Sequence, residues 1–180
     1  MTYSGEMDSN LFYHSRFIMT VLYTYQNPSH PGHLEQIAHI LDEGGVIAYP
    51  TDINWALAWH PHSKKAAQTV YSIKPSKSLP FTLMCRDIST AAQLCHIDNS
   101  HYRLMRTILP GSYTFIFVPT LMFPKSIKDK RKEVGIRIAP TPLLQDLCEI
   151  LDYPLVTTTL PPAQSGKYMY GYQVDEDYGA

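Results

Sequence analysis

Gly44-Gly45-Val46-Ile47-Ala48-Tyr49-Pro50-Thr51-Asp52-Ile53-Asn54-Trp55-Ala56-Leu57 is the stretch whose reading decides the fold. The glycine pair stops a helix, residues 46–49 make a short buried strand, and Pro50 ends it where Thr51, Asp52 and Asn54 can face a ligand. Ligands bind at the C-terminal ends of strands in open α/β sheets, where loops converge and helix N-termini offer free amide donors. The candidate site therefore begins at Thr51.

Upstream, Leu34, Ile37, Ala38 and Leu41 recur at helical spacing and put one apolar stripe on a helix that Gly44 ends. Before it, Val21, Tyr23 and Tyr25 alternate with Leu22 and Thr24 as in a first strand, and residues 27–32 supply turn chemistry. Strand, helix, strand in that order implies a right-handed crossover and a parallel or mixed sheet. Residues 1–18 show no period and read as a flexible extension, with Met19 as an alternative start. The apolar run at residues 17–23 is far shorter than the roughly 18 residues of a spanning helix, and no small-residue cleavage site follows. Neither a membrane anchor nor a signal peptide is expected, and the expected location is the cytoplasm.

Downstream, Ser63 can cap a helix whose Ala66, Ala67, Val70 and Tyr71 face inward and which ends near Lys74-Pro75. Residues 81–85 read as a buried strand, 89–94 as a short helix, and Asn99 as the cap of a helix broken by Pro110-Gly111. Strands follow at 113–118 and 134–138, joined by a basic run of Lys125, Lys128, Lys130, Arg131 and Lys132. That run reads as a solvated hairpin tip, or alternatively as a phosphate-backbone contact. Pro140 and Pro142 lead a helix carrying Leu143, Leu144 and Leu147, and residues 155–159 form the last strand. Past Pro161-Pro162, residues 161–180 mix tyrosine, glycine and Asp175-Glu176-Asp177 without a period, the pattern of a mobile tail.

With 180 residues, 44% of them hydrophobic, the chain has enough core for one domain, placed at residues 19–160. A net charge of -1 selects neither a polyanion nor an acidic membrane as partner. Cys85, Cys95 and Cys148 are odd in number and widely spaced, as in a reducing compartment. The eight histidines lack metal-ligand spacing, so no metal site is expected.

Four separated stretches together resemble the YrdC-like domain family, and its YciO branch in particular. They are the opening stretch from Gly44 to Asp52 with Ala56-Leu57; Lys74 with Pro80-Phe81-Thr82-Leu83-Met84-Cys85-Arg86-Asp87; Pro110-Gly111-Ser112-Tyr113-Thr114-Phe115; and Val134-Gly135-Ile136-Arg137-Ile138. The resemblance implies an α/β fold with a twisted mixed sheet, flanking helices and a central cleft. It also implies condensation of ATP, as its Mg2+ complex, with L-threonine and bicarbonate to threonylcarbamoyl-AMP and pyrophosphate, for tRNA threonylcarbamoyladenosine modification. A catalytically degenerate module binding double-stranded RNA or tRNA is the alternative.

Such a reaction needs cations and hydrogen-bond donors where phosphate charge shifts. By family position, Lys74, Thr51 and Arg137 are the candidate catalytic residues, and Asp52, Trp55, Ser76, Lys77, Thr114 and Thr159 the candidate substrate and nucleotide contacts. Several positions depart from the family pattern. Ser76 replaces the arginine of Lys-x-Arg, and the neighbouring Lys77 lacks that residue's planar fork. Trp55 replaces a tyrosine, Ile53 a hydroxyl residue, and Cys85 a histidine, while Thr159-Leu160-Pro161 stands for Ser-x-Asn. The family's C-terminal portion finds no counterpart after Thr159. From the residues alone, Thr51 and Asp52 can also cap a turn, Thr114 can serve only the sheet, and Arg137 can form a structural pair with an aspartate.

Overall fold

The computed structural model describes residues 21–22, 29–51, 54–74, 81–109, 111–120, 133–162 and 166–179. Helix α1 (Pro31–Asp42) buries Leu34, Ile37 and Leu41 and stops at the glycine pair as expected. Gly44, at φ +77°, donates to Leu41 O, and Gly45 donates to Ile40 O, the two bonds of a Schellman cap. The chain then enters β1 (Val46–Pro50).

Here the structure corrects the sequence reading. After the Thr51 loop the chain enters β2 (Trp55–Trp59), which pairs antiparallel with β1 from Val46↔Trp59 to Pro50↔Trp55. Thr51 is thus at a hairpin tip, with no helix N-terminus following it. The missed strand has a simple period: Trp55, Leu57 and Trp59 pack on one side of the sheet, Ala56 and Ala58 on the other.

Helix α2 (Lys64–Ile73) starts on a Ser63 cap and leads to β3 (Thr82–Cys85). Next come α3 (Ile88–Leu94), α4 (Asn99–Ile108), β4 (Phe115–Phe117) and β5 (Val134–Ile138). The α4 cap is Asp98 rather than Asn99, because its carboxylate accepts from Ser100 N and His101 N at 2.9 and 2.8 Å. Helix α5 (Pro142–Ile150) is capped by Thr141, and β6 (Leu155–Thr159) follows. The sheet runs β1-β2-β6-β3-β5-β4, with β3 and β5 parallel and the other pairs antiparallel. This is the mixed sheet with flanking helices that the sequence leads one to expect.

Beyond Pro162 the expectation of a patternless tail is corrected. Helix α6 (Gly171–Tyr178) buries Val174, and Tyr168 ahead of it is buried too. One apolar contact per turn is too few to show as a stripe in sequence, yet it fastens this segment to the domain. The proposed first strand lies outside the described residues except for Val21 and Leu22, which are in no strand. The basic run at 125–132 also lies outside them, as does the extension at residues 1–18. No helix among the described residues is long and apolar enough to cross a membrane.

The two sides of the sheet have separate cores. Leu57, Leu83, Ile136 and Val156 pack with α2, α3, α4 and α6 residues, while Ala58, Met84 and Leu155 pack with α1 and α5 residues. Strand alternation assigns Thr82, Gly135, Arg137, Thr157 and Thr159 to the second side, where the apolar packing gives out.

Candidate functional site

The hairpin tip forms the first wall of a cavity of about 220 Å³. Thr51 N donates to Asn54 O at 3.0 Å, Asn54 N donates to Thr51 Oγ1 at 3.1 Å, and the Thr51 hydroxyl donates back to Asn54 O. Asn54 Oδ1 accepts from Trp55 N at 2.8 Å. Thr51 therefore closes the turn and also lines the cavity.

Of the candidate residues, Arg137, Trp55, Thr114 and Thr159 line the same cavity. The register explains the grouping. Met84↔Arg137 and Thr82↔Gly135 place the guanidinium one pleat along from Gly135, on the face where Thr157 also points. A Cβ at Gly135 would lie 2.6 Å from Thr82 Cγ2 and 3.1 Å from Thr114 Cγ2, so the missing side chain is what lets the two threonines close up.

Lys74 is not among the residues that line the cavity; it meets β6 from the α2 side. It caps the C-terminus of α2, its N–H donating to Val70 O at 2.9 Å. Its ammonium donates to Thr159 O at 3.0 Å and to Thr158 Oγ1 at 3.4 Å, and both threonines line the cavity. Burial lowers the Lys74 pKa, because the ammonium gives up hydration there; an anionic ligand would restore the lost stabilisation.

Sequence reasoning missed Tyr49, Thr82, Thr157 and Thr158, all of which line the cavity. The Thr82 and Thr157 hydroxyls are 2.7 Å apart, and Tyr49 hydrogen-bonds to the Thr157 side chain. Burial pushes the Tyr49 phenol well above its usual range, outweighing the opposing Arg137 charge, so it remains a neutral hydroxyl. Asp52, Ser76 and Lys77 lie outside the described residues. Cys85 faces the other core, where burial raises its thiol pKa, and it takes no part in the cavity.

The arrangement is a small recess with one guanidinium and a floor of hydroxyls, two of whose lining threonines hold the Lys74 ammonium from outside it. No carboxylate is among the described residues that line it. It can hold an anionic or zwitterionic ligand through charge-assisted hydrogen bonds.

Comparison with known proteins agrees with this fold. The Sua5/YciO/YrdC family model, described as "Telomere recombination", matches residues 39–178, which carries the likeness beyond Thr159 and through α6. The uncharacterized protein YciO of Escherichia coli K12 is 38% identical over 143 residues, covering 76% of this chain and 68% of YciO. Its crystal structure aligns with a TM-score of 0.73 at 32% identity, over 82% of this chain and 73% of that one. A threonylcarbamoyl-AMP synthase of Xylella fastidiosa 9a5c is 29% identical over 140 residues, covering 73% of this chain and 75% of the synthase. The Sua5 protein of P. abyssi, crystallised with L-threonine, shares the fold, with a TM-score of 0.70 at 18% identity over 83% of this chain and 44% of Sua5. A chain with this sheet, this cleft and these relatives belongs to the Sua5/YciO/YrdC family.

Proposed function

We propose that this protein binds a nucleotide and a small amino acid and is an adenylating enzyme of the threonylcarbamoyl-AMP synthase type, with a pocket altered from that of the synthases. The observation that carries the reading is the meeting of Arg137, the Lys74-bonded threonines and the Tyr49–Thr157–Thr82 hydroxyls at one recess. Its volume of about 220 Å³ is below the roughly 300 Å³ at which pockets begin to enclose drug-sized ligands. An amino acid such as threonine suits that space, and the nucleotide would extend beyond it.

In the proposed reaction the amino nitrogen of L-threonine attacks the bicarbonate carbon, a C–O bond breaks, and water leaves to give a carbamate. A carbamate oxygen then attacks the α-phosphorus of ATP, and the bond to the β-phosphate oxygen breaks to release pyrophosphate. The protein's part is to hold charge and orientation: Arg137 fits a carboxylate or phosphate through two parallel donors, and the Lys74 ammonium suits the charge that moves onto the leaving pyrophosphate. Magnesium would enter as part of the nucleotide substrate, since the described lining holds no carboxylate to bind it directly. Ser76, in place of the second cation of the Lys-x-Arg pattern, supports an altered reaction or a slower one.

The test pairs calorimetric titration of the full chain with L-threonine and magnesium ATP with an assay of pyrophosphate release in bicarbonate buffer. Binding of both, with release dependent on threonine, is expected. Absence of both binding and release would remove the reading.

A further inference from the structure

Tyr49 belongs to β1, yet its phenol hydrogen-bonds to Thr157 on β6, with β2 lying between them. Neighbouring strands are about 4.8 Å apart, so the two backbones are separated by roughly 10 Å. A tyrosine side chain crosses such a gap where the strand beneath it offers no bulk. Strand β2 meets this condition: Ala56 stands opposite Tyr49, Ala58 stands opposite Thr157, and both alanines point to the same face as the phenol. The small residues of β2 clear the path of the ring.

The ring is also held in place. It is buried in the α1 and α5 core, while its hydroxyl reaches Thr157, a residue of the recess lining. Beyond Thr157 the bonding continues. Thr157 Oγ1 lies 2.7 Å from Thr82 Oγ1 and 3.4 Å from Thr82 O, and the shorter contact is the stronger. A phenol is a more acidic donor than an alkyl hydroxyl, which favours the order Tyr49 to Thr157 to Thr82. In that order each hydroxyl passes one proton forward, and the Thr82 proton is left for a ligand. Arg137 lies on the same face of the parallel β3–β5 pair, two residues beyond the partner of Thr82.

We infer that Tyr49 is a positioning residue which, through Thr157, turns the Thr82 hydroxyl into a donor for a ligand's anionic group beside Arg137. The inference deepens the function proposed above and rests on it for the identity of the ligand. The three hydroxyls act as a unit: an acceptor at Thr82 draws every proton of the chain toward the recess, and each bond polarises the next. Loss of the phenol oxygen removes the first donor. Thr157 and Thr82 are then no longer set in one order.

The experiment uses the full chain. Tyr49→Phe keeps every ring carbon and is expected to weaken L-threonine binding in the presence of magnesium ATP about fivefold by calorimetry. Thr82→Val is expected to weaken it similarly, and Tyr49→Phe added to Thr82→Val to cost nothing further, because the chain has already lost its end. Thr82→Ser keeps the hydroxyl and should restore the sensitivity to Tyr49→Phe. Losses that simply add overturn the inference, since a packing role for Tyr49 does not depend on a hydroxyl at residue 82. Full affinity in Tyr49→Phe overturns it as well. A second readout needs no ligand: with a carbon-13 label at tyrosine Cζ, the Tyr49 resonance, identified by its loss in Tyr49→Phe, should move in Thr82→Val and stay in Thr82→Ser. A resonance unmoved by Thr82→Val contradicts the inference. If Tyr49→Phe does not fold, the resonance is assigned by through-bond correlation to the backbone, and the Thr82 variants carry the test. If the wild-type chain binds neither ligand, the proposed function falls, and the resonance arm alone decides whether Tyr49 and Thr82 are joined.

Discussion

On the side of the sheet under α2, α3, α4 and α6, neighbouring strands contribute apolar side chains without a break: Leu57, Val156, Leu83 and Ile136. On the other side the same strands give Ala58, Met84 and Leu155 to the α1 and α5 core, and then Thr157, Thr82, Gly135 and Arg137. Because successive residues of a strand point to opposite faces, one short strand can serve both ends. Ile136 is fully buried in one core while Arg137, its neighbour, lines the cavity. The difference between the sides teaches that stability and ligand chemistry are divided by strand parity rather than by segment. A change at one parity should move melting, and a change at the other should move binding.

The largest effect is expected from Ile136→Ala, which removes a fully buried side chain and should cost about 2–5 kcal/mol, read as a lower thermal midpoint by circular dichroism. Arg137→Leu, one residue on, should leave the midpoint near its original value. It should weaken calorimetric binding of L-threonine and ATP by about 1.5–3 kcal/mol, the worth of a hydrogen bond to a charged group. Comparable destabilisation by both variants would break the division by parity.

Thr157→Val sharpens the comparison from within the cleft. It strips a partner from Tyr49 and from Thr82, and should cost roughly 1–2 kcal/mol of stability in denaturant titrations, less than Ile136→Ala. The smallest effect is on pH dependence. Burial lowers the Lys74 pKa, so its ammonium is fully charged only below that lowered value. Anion affinity should be complete on the acid side and fall as pH rises through it, earlier than for an exposed lysine. Lys74→Met should lose this alkaline limb, and calorimetry across the alkaline range checks it.

Much of this division could be read from the amino-acid sequence where a single rule acts. The α1 stripe, its Gly44 stop, the Ser63 cap and the strand at Val134–Ile138 each follow from a local period or cap. Arg137 stood out because a charge inside an apolar strand needs a reason. Tyr49, Thr82 and Thr157 gave no such signal, since tyrosine and threonine are ordinary strand residues and only the sheet register brings them together. Strand β2 was hidden by its small alanines and by the turn ahead of it, whose closure through Thr51 and Asn54 is a side-chain matter. Helix α6 was hidden for the opposite reason: tyrosines and acids dominate it, and Val174 is its single buried residue.

Hydrogen exchange of the full chain, with and without L-threonine and magnesium ATP together, tests the central claim most directly. The account predicts added protection at the Thr51–Asn54 turn, at the end of β6 around Thr157–Thr159 and around Arg137 in β5, with little change in α3 and α4 on the closed face. Protection confined to α3 and α4, or no protection anywhere while the ligands bind, would contradict it.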